Sequence, residues 1–115
     1  MVTQSIALNQ IRELIALLSG QGYRPTQAYL FGSVAKGTQH AWSDIDLALW
    51  DEKFTGSLAQ DYEPIKRILT RFPLIELHTF PSAEDETINP FIAEIRRTGI
   101  SLDRMVLPPF VRETT

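Results

Sequence analysis

The sequence predicts an α/β (α+β) domain with a small mixed sheet of three to four strands and helices packed on it. Two observations lead to this fold class. Segments with apolar residues at helical spacing interleave with short apolar or alternating segments, which is the order expected of a sheet covered by helices. In addition, residues 32–43 connect two of the predicted strands. This connection is too short to contain the crossover helix that a parallel pair of strands requires, so we expect a mixed sheet.

The N-terminal half of the chain contains one predicted helix and two predicted strands. Residues 5–18 have apolar side chains at helical spacing, and two glycines follow them closely. Residues 28–31 are a short apolar run that stops at Gly32, as a buried strand would. Residues 43–50 alternate in polarity, which predicts a second strand. The two faces of that strand would carry Asp44, Asp46 and Ala48, and Ile45, Leu47 and Leu49.

The next two elements are a helix and a third strand. Residues 63–72 carry apolar side chains at helical spacing, and Pro64 lies near the start, where a helix tolerates proline. Residues 74–80 alternate in polarity, which predicts a strand. One face of this strand would carry Leu74, Glu76, His78 and Phe80.

The last predicted helix begins at Asn89 and Pro90, which combine a capping side chain with proline at the first helical position. It should end at Gly99, with Phe91, Ile92 and Ile95 facing inward. Residues 100–102 predict one more edge segment, and the tail at 108–115 should be frayed. We therefore interpret residues 1–115 as a single domain.

Composition and charge exclude several classes of function. The chain has no cysteine, which rules out disulfides, thiolate metal sites and a cysteine nucleophile. No apolar run approaches the length of a membrane span, and the N-terminus lacks the pattern of a signal peptide, so we expect a cytoplasmic protein without a membrane partner. The net charge of −3, with scattered basic residues, makes long nucleic acid an unexpected ligand.

Asp44 and Asp46 are candidate metal ligands because residues two apart on a strand project from the same face. Two carboxylates this close repel each other unless a cation lies between them. Mg²⁺ is commonly held in this way, by one or two carboxylates together with substrate phosphates. Taken alone, the pair is also compatible with two solvent-facing side chains on an edge strand.

Gly32 and Ser33 are candidate phosphate ligands because they directly follow a buried strand. A glycine there allows backbone N–H groups to approach a phosphate, and the serine hydroxyl adds a donor. Gly37 is expected to take a left-handed turn after a short helix. A plain strand-ending turn and a helix cap without a functional role are the alternatives. The spacing of Gly32 and Gly37 matches a Walker A loop, but Thr38 replaces the required lysine.

Together, Gly32-Ser33, Gly37 and the Ser-Asp-Ile-Asp-Leu sequence at 43–47 resemble the signature of the nucleotidyltransferase superfamily related to DNA polymerase beta. Beyond this motif, the chain is similar to the minimal nucleotidyltransferase branch of that superfamily. The resemblance implies a polymerase-beta-like fold and two Mg²⁺ ions held by Asp44 and Asp46. It further implies that Gly32, Ser33 and Gly37 bind the nucleotide.

The resemblance also implies a third carboxylate on a later strand, where the family usually has aspartate. Glu76 occupies that place here as both metal ligand and candidate base, although an exposed strand residue is the alternative. The nearest rivals, Asp51, Asp61 and Glu63, fall in predicted loops or a helix.

Three other kinds of side chain near the motif are each compatible with a functional and a structural role. His78 shares the predicted face of Glu76 and could touch an acceptor, but a histidine at the edge of the core is the alternative. Lys36 could meet a phosphate or remain solvated. Trp42 and Trp50 flank the aspartate strand, and packing is the expected role of both.

In the family to which the chain is similar, the implied activity is transfer of a nucleoside monophosphate from a nucleoside triphosphate to a hydroxyl group. ATP as the donor, a HEPN-type helical toxin as the acceptor and an antitoxin role in a toxin–antitoxin system follow from the resemblance alone. We expect a partner protein to complete the active site of so short a chain, and a second copy of the chain in a homo-oligomer is the other way to do so. The open alternatives are a non-catalytic toxin-binding module and transfer to a small molecule such as an aminoglycoside.

Overall fold

A computed structural model describes residues 2–38 and 43–103, and within them it contains a four-stranded mixed sheet with helices packed on it. This confirms the predicted fold class. The helices are α1 (Gln4–Gly20), α2 (Gly32–Lys36), α3 (Leu58–Tyr62), α4 (Lys66–Leu69) and α5 (Pro90–Thr98), with a 3-10 turn at Glu63–Ile65. The strands are β1 (Gln27–Phe31), β2 (Ile45–Asp51), β3 (Ile75–Pro81) and β4 (Ile100–Ser101).

The strand order across the sheet is β3-β2-β1-β4. β1 pairs antiparallel with both β2 and β4, whereas β2 pairs parallel with β3. The short connection between β1 and β2 permits only the antiparallel arrangement. The longer connection between β2 and β3 contains α3 and α4 and therefore supports a parallel pair. The brief edge segment predicted after Gly99 is present as β4.

The larger part of the core lies on one face of the sheet, beneath α1. Helix α1 contributes Ile11, Leu14 and Leu18, all fully buried. Their spacing of three and four residues forms one apolar stripe along the helix. The stripe packs in one cluster with the inward residues of the strands, which include Leu30, Leu47, Leu49, Ile75 and Leu77.

The opposite face of the sheet carries a smaller cluster under α5. Trp50 is completely buried there, stacks on Phe80 with ring centroids 4.8 Å apart, and donates its indole N–H to the Glu84 carbonyl at 2.9 Å. This confirms packing as the role of Trp50. Ile92 and Ile95 of α5 complete the cluster. It occupies only part of the face, because Glu76 on the same face of β3 is exposed.

The helix predicted over residues 63–72 is wrong in its extent. The chain forms the 3-10 turn at Glu63–Ile65 and then the short helix α4, which ends at Leu69. Pro64 lacks the N–H group that a continuous α-helix running in from α3 would need. Ile65 then leaves the helical region at φ −117° and ψ 9° while its side chain is buried. Among the described residues, no helix is long and apolar enough to cross a membrane.

The helix predicted from Asn89 to Gly99 is confirmed, but the prediction that Phe91 faces inward is wrong. The Asn89 side chain accepts a hydrogen bond from the Phe91 N–H at 3.1 Å, as a capping residue does. Ile92 and Ile95 are fully buried, whereas Phe91 is 42% exposed. Phe91 lies in the first turn of α5, where the ring meets the half-buried His78 at the border of the cluster.

Asp61 is a buried carboxylate that ties α3 to β3 and to the loop before α3. Its oxygens accept hydrogen bonds from the Thr55 N–H and hydroxyl at 2.8 and 2.9 Å, from the Gly56 N–H at 3.0 Å and from the Thr79 hydroxyl at 2.6 Å. Burial alone would raise the pKa of Asp61, but these hydrogen bonds outweigh it and hold the pKa below its ordinary value.

We predict that Asp61→Asn lowers the free energy of unfolding at pH 7 by about 1–3 kcal/mol, because the amide presents N–H groups to donors that need an acceptor. The exposed Glu63→Gln should change it by no more than about 0.5 kcal/mol. Since folding depresses the pKa of Asp61, its contribution is present above the unfolded pKa of about 3.9 and is lost as the pH falls through the lower folded value. Urea titrations of both variants from pH 7 to pH 2 measure this. Equal stability of wild type and Asp61→Asn at pH 7 would contradict it.

Candidate active site

The pairing of β2 with β3 brings two of the predicted carboxylates together. Asp46 on β2 lies directly beside Glu76 on β3 and, on its other side, beside Phe31 on β1. Residues opposite each other on neighbouring strands project from the same face of the sheet. Asp46 is about three-quarters buried and Glu76 is exposed, so the pair lies at the border between the α5 cluster and solvent.

His78 joins this pair. It follows Glu76 by two residues on β3 and therefore shares its face. Its Nε2 atom lies 3.8 Å from Asp46 Oδ1 and 3.9 Å from Glu76 Oε1. One ligand atom from each of Asp46, Glu76 and His78 lies within 4.8 Å of the other two. We call these three residues the Asp46 cluster.

The imidazole of His78 is held between two aromatic rings. Its ring centroid is 5.0 Å from that of Phe31 and 6.0 Å from that of Phe91, both at steep interplanar angles. The Nε2 atom is buried and has no hydrogen-bond partner among residues 2–38 and 43–103. A buried polar atom without a partner is uncommon in proteins and indicates a bound water, an ion or a functional role.

Asp44 is not part of the Asp46 cluster. Its side chain is exposed, and the residue precedes β2, which begins at Ile45. The sequence prediction that Asp44 lies within the strand is therefore wrong by one residue. The Ile45 N–H donates a hydrogen bond to the Leu74 carbonyl at 2.7 Å, just before β3. A metal-binding role for Asp44 stays a prediction.

Gly32 makes room for the carboxylate of Asp46. It has a φ of +75°, in the left-handed region that disfavours residues with a Cβ atom. A Cβ atom at this position would lie 2.1 Å from Asp46 Oδ2 and 3.0 Å from its Cγ. Glycine at 32 is thus required both by the backbone and by the space that Asp46 occupies at the start of α2.

Ser33 and Gly37 belong to the same short helix and the turn after it. Gly37 caps α2 with a φ of +74°, which confirms the predicted left-handed turn. A Cβ atom there would meet nothing within 4 Å among the described residues. Ser33 is half-buried in the first turn of α2, and Lys36 is exposed. Trp42 lies outside the described residues, as does the tail at 108–115.

The other acidic residues considered for the third carboxylate are engaged elsewhere. The buried Asp51 accepts the N–H groups of Arg24 and Lys53 at 2.6 and 2.8 Å. Asp61 holds the loop before α3, as described above. Glu63 is exposed and pairs with Lys66 at 3.0 Å. Of these candidates, Glu76 is the one that lies beside Asp46.

Glu76 also influences a neighbouring tyrosine. The Tyr62 hydroxyl donates a hydrogen bond to the Leu77 carbonyl on β3. Burial, followed by the negative charge of Glu76, raises the pKa of this hydroxyl above its ordinary value. Tyr62 thus anchors the end of α3 to β3 next to the Asp46 cluster.

The Asp46 cluster has the donor chemistry and the spacing for a divalent cation. Metal–ligand bonds to oxygen or nitrogen are about 2.0–2.2 Å long, so two ligands of one ion are at most about 4.4 Å apart. The distances of 3.8 and 3.9 Å from Nε2 to the two carboxylates fall within this limit, and all three ligand atoms lie within 4.8 Å of one another, so that small side-chain adjustments would bring them around one ion. Among the described residues, His78 Nε2 has no hydrogen-bond partner, which agrees with the same interpretation.

A family model described as polymerase beta, nucleotidyltransferase matches residues 12–102 of the chain. The chain belongs to this nucleotidyltransferase family. The matched range includes every strand of the sheet, α2 and the Asp46 cluster. No match was found among curated proteins.

Members of this nucleotidyltransferase family act on nucleotides and typically use a divalent metal ion. The family match and the mixed four-stranded sheet together confirm the polymerase-beta-like fold that the sequence resemblance implied.

His78 is the candidate metal ligand that sequence reasoning underrated. The sequence did contain a signal for this role. Glu76 and His78 are two residues apart, as Asp44 and Asp46 are, so the members of each pair were expected on one face of a strand. Only the pairing of the strands shows which of these side chains meet.

We predict that Gly32→Ala destabilises this nucleotidyltransferase domain more than Gly37→Ala does. Both variants incur the left-handed backbone penalty of about 1–2 kcal/mol, but only position 32 forces the Asp46 carboxylate to move. The difference in unfolding free energy should be about 1–3 kcal/mol, as for other overpacked sites. Chemical denaturation measures it.

The matched test is a double-mutant cycle with Asp46→Ala. Removing the carboxylate should recover most of the extra cost of Gly32→Ala and none of the cost of Gly37→Ala. Equal destabilisation by the two glycine substitutions, without coupling to Asp46, would show that the crowding is unimportant.

Proposed function

We propose that the chain is a divalent-metal-dependent nucleotidyltransferase that moves a nucleoside monophosphate from a nucleoside triphosphate to an acceptor hydroxyl. The observation that carries the proposal is the Asp46–Glu76 pair beside Gly32, on adjoining strands of a chain that belongs to this family. Glu76 is 54% exposed and Asp46 is 23% exposed, so the pair is open to solvent mainly on the side of Glu76.

In this proposal Asp44, Asp46 and Glu76 hold two Mg²⁺ ions. Bound metal would stabilise the negative charge that develops on the attacking and leaving oxygens of an in-line displacement. Glu76 is the more exposed carboxylate of the pair and accepts the proton of the acceptor hydroxyl. Asp46 is held more rigidly, between Gly32 on one side and the neighbouring strands on the other.

The start of α2 supplies the donors for the triphosphate. Backbone N–H groups in the first turn of a helix have no partner within the helix, and those at Gly32 and Ser33 would donate to phosphate oxygens. The Ser33 hydroxyl adds one donor, and Gly37 shapes the turn that follows. The acceptor oxygen forms a bond to the α-phosphorus while the bond to the bridging oxygen of the β-phosphate breaks. Pyrophosphate leaves, and the acceptor proton passes to Glu76.

We also propose that the donor is ATP and that the acceptor is a hydroxyl side chain of a HEPN-type helical toxin. The chain would then be a cytoplasmic antitoxin of the minimal nucleotidyltransferase branch, acting as a single domain. An apolar surface beside the Asp46 cluster supports a protein acceptor. Phe91, which contacts His78, is 42% exposed, and Ile88, three residues earlier, is 68% exposed. Large apolar side chains exposed near a site are common where proteins contact one another.

Replacement of either paired carboxylate should remove transfer without unfolding the chain. We expect Asp46→Asn and Glu76→Gln to reduce the rate at least about a hundredfold, since each removes a metal ligand or the base. Labelled ATP, Mg²⁺ and acceptor, followed by counting of label on the acceptor, measure the rate. EDTA should abolish it in the wild type.

Glu63→Gln is the matched control, because Glu63 is an exposed glutamate whose partner is Lys66. It should retain wild-type transfer. Activity that survives EDTA, or a silent Glu76→Gln beside a damaging Glu63→Gln, would overturn the assignment of the carboxylates.

The acceptor can be identified by mass. When the chain is mixed with ATP, Mg²⁺ and a HEPN-type protein encoded beside it, the partner should gain whole multiples of one adenylyl unit on a hydroxyl side chain. Asp46→Asn should leave the mass unchanged. Neutralisation of the partner by wild type and Asp46→Asn alike, without a mass change, would favour a contact-only binding module. Labelling of an aminoglycoside instead of the partner would favour a small-molecule acceptor.

A further inference from the structure

The metal ligands implied by the family are carboxylates, but the Asp46 cluster also contains an imidazole nitrogen. His78 Nε2 is too far from Asp46 Oδ1 and Glu76 Oε1, at 3.8 and 3.9 Å, to hydrogen-bond with either. It is nevertheless buried and directed between them, without another hydrogen-bond partner among the described residues. Both distances suit a shared ion better than a direct contact.

The surroundings of His78 fix this orientation. Phe31 and Phe91 contact its ring, and Phe31 lies beside Asp46 on the next strand. On β2, the residue paired with His78 is Ala48, which is fully buried and small. A larger side chain at that position would crowd the imidazole on the face it shares with Asp46. The nitrogen is therefore held toward the carboxylates by packing rather than by a hydrogen bond.

We propose that His78 binds the metal ion directly through Nε2, together with Asp46 and Glu76, and that this ligand set makes the position selective for Mn²⁺ over Mg²⁺. This inference rests on the proposed function, because it concerns one of the metal ions required there. It changes the identity of that ion: an imidazole ligand replaces one of the oxygens that an all-carboxylate site would offer.

The selectivity follows from the ligand chemistry. Mg²⁺ binds oxygen almost exclusively and gives up its water molecules reluctantly. Imidazole is a better ligand for transition metal ions than for Mg²⁺. A site with two carboxylates and one imidazole should consequently bind Mn²⁺ more tightly than Mg²⁺. Loss of the imidazole should weaken Mn²⁺ binding more than Mg²⁺ binding.

Pulsed electron paramagnetic resonance on the nucleotide-free full chain with Mn²⁺ tests the direct bond. A directly bound imidazole gives a ¹⁴N coupling to the Mn²⁺ spin. The chain contains two histidines, His40 and His78. We expect the ¹⁴N signal in the wild type and in the matched control His40→Ala, and we expect its loss in His78→Ala. A signal that persists in His78→Ala, or that is absent from the Mn²⁺-bound wild type, overturns the proposal.

Equilibrium titration tests the selectivity. His78→Ala should weaken Mn²⁺ binding at least about tenfold and change Mg²⁺ binding much less. His78→Gln fills most of the same space with an amide, so it serves where His78→Ala unfolds. It should also lose the ¹⁴N signal while retaining the fold by circular dichroism. Equal affinities of the wild type for Mn²⁺ and Mg²⁺ would overturn the selectivity, as would a His78→Gln variant that binds both ions normally.

Asp46→Asn separates failure of this inference from failure of the proposed function. If Asp46→Asn abolishes Mn²⁺ binding while His78→Ala leaves it intact, the carboxylate site stands and His78 is only a neighbouring counter-ion. If Asp46→Asn binds Mn²⁺ as the wild type does, the metal is bound elsewhere and the proposed function fails with it. Loss of binding in both variants, together with loss of the ¹⁴N signal in His78→Ala, supports the three-residue site.

Discussion

The in-register parallel pairing of β2 with β3 is the constraint on which the rest of the structure depends. It sets Asp46 beside Glu76 and Ala48 beside His78, and it directs Leu47 and Leu77 toward the opposite face. Because side chains alternate along a strand, a slip of one residue would carry the charged set into the α1 core and the leucines out of it. The cost of burying unpaired carboxylates therefore enforces the same register that assembles the Asp46 cluster.

One face of the sheet carries most of the hydrophobic core, and the other carries the Asp46 cluster. Helix α1 closes one face with a continuous apolar stripe, which supplies most of the hydrophobic burial. On the other face, α5 packs on Trp50 and Phe80 but begins with an exposed Phe91 beside His78. This partial cover leaves Glu76 in contact with solvent, where its charge costs little, and it keeps His78 Nε2 out of water. A fully covered face could not hold the same charges.

Much of this architecture was predictable because local chemistry determines it. The cap at Asn89, the left-handed turn at Gly37 and the alternation of β3 each depend on neighbouring residues alone. The non-helical backbone of the buried Ile65, the exposure of Phe91 and the position of Asp44 ahead of β2 depend on packing between distant segments, which spacing along the chain does not encode. His78 was underrated for the same reason: its relation to Asp46 exists only through strand pairing.

The close approach of Gly32 to Asp46 has an evolutionary consequence. While the carboxylate is retained, any side chain at 32 collides with it, so the glycine is locked by a residue fourteen positions away. Loss of Asp46 would remove part of that constraint, and position 32 would then be freer to change. The two positions should therefore behave epistatically, because a Cβ atom at 32 is better tolerated once Asp46 has been replaced than while it is present.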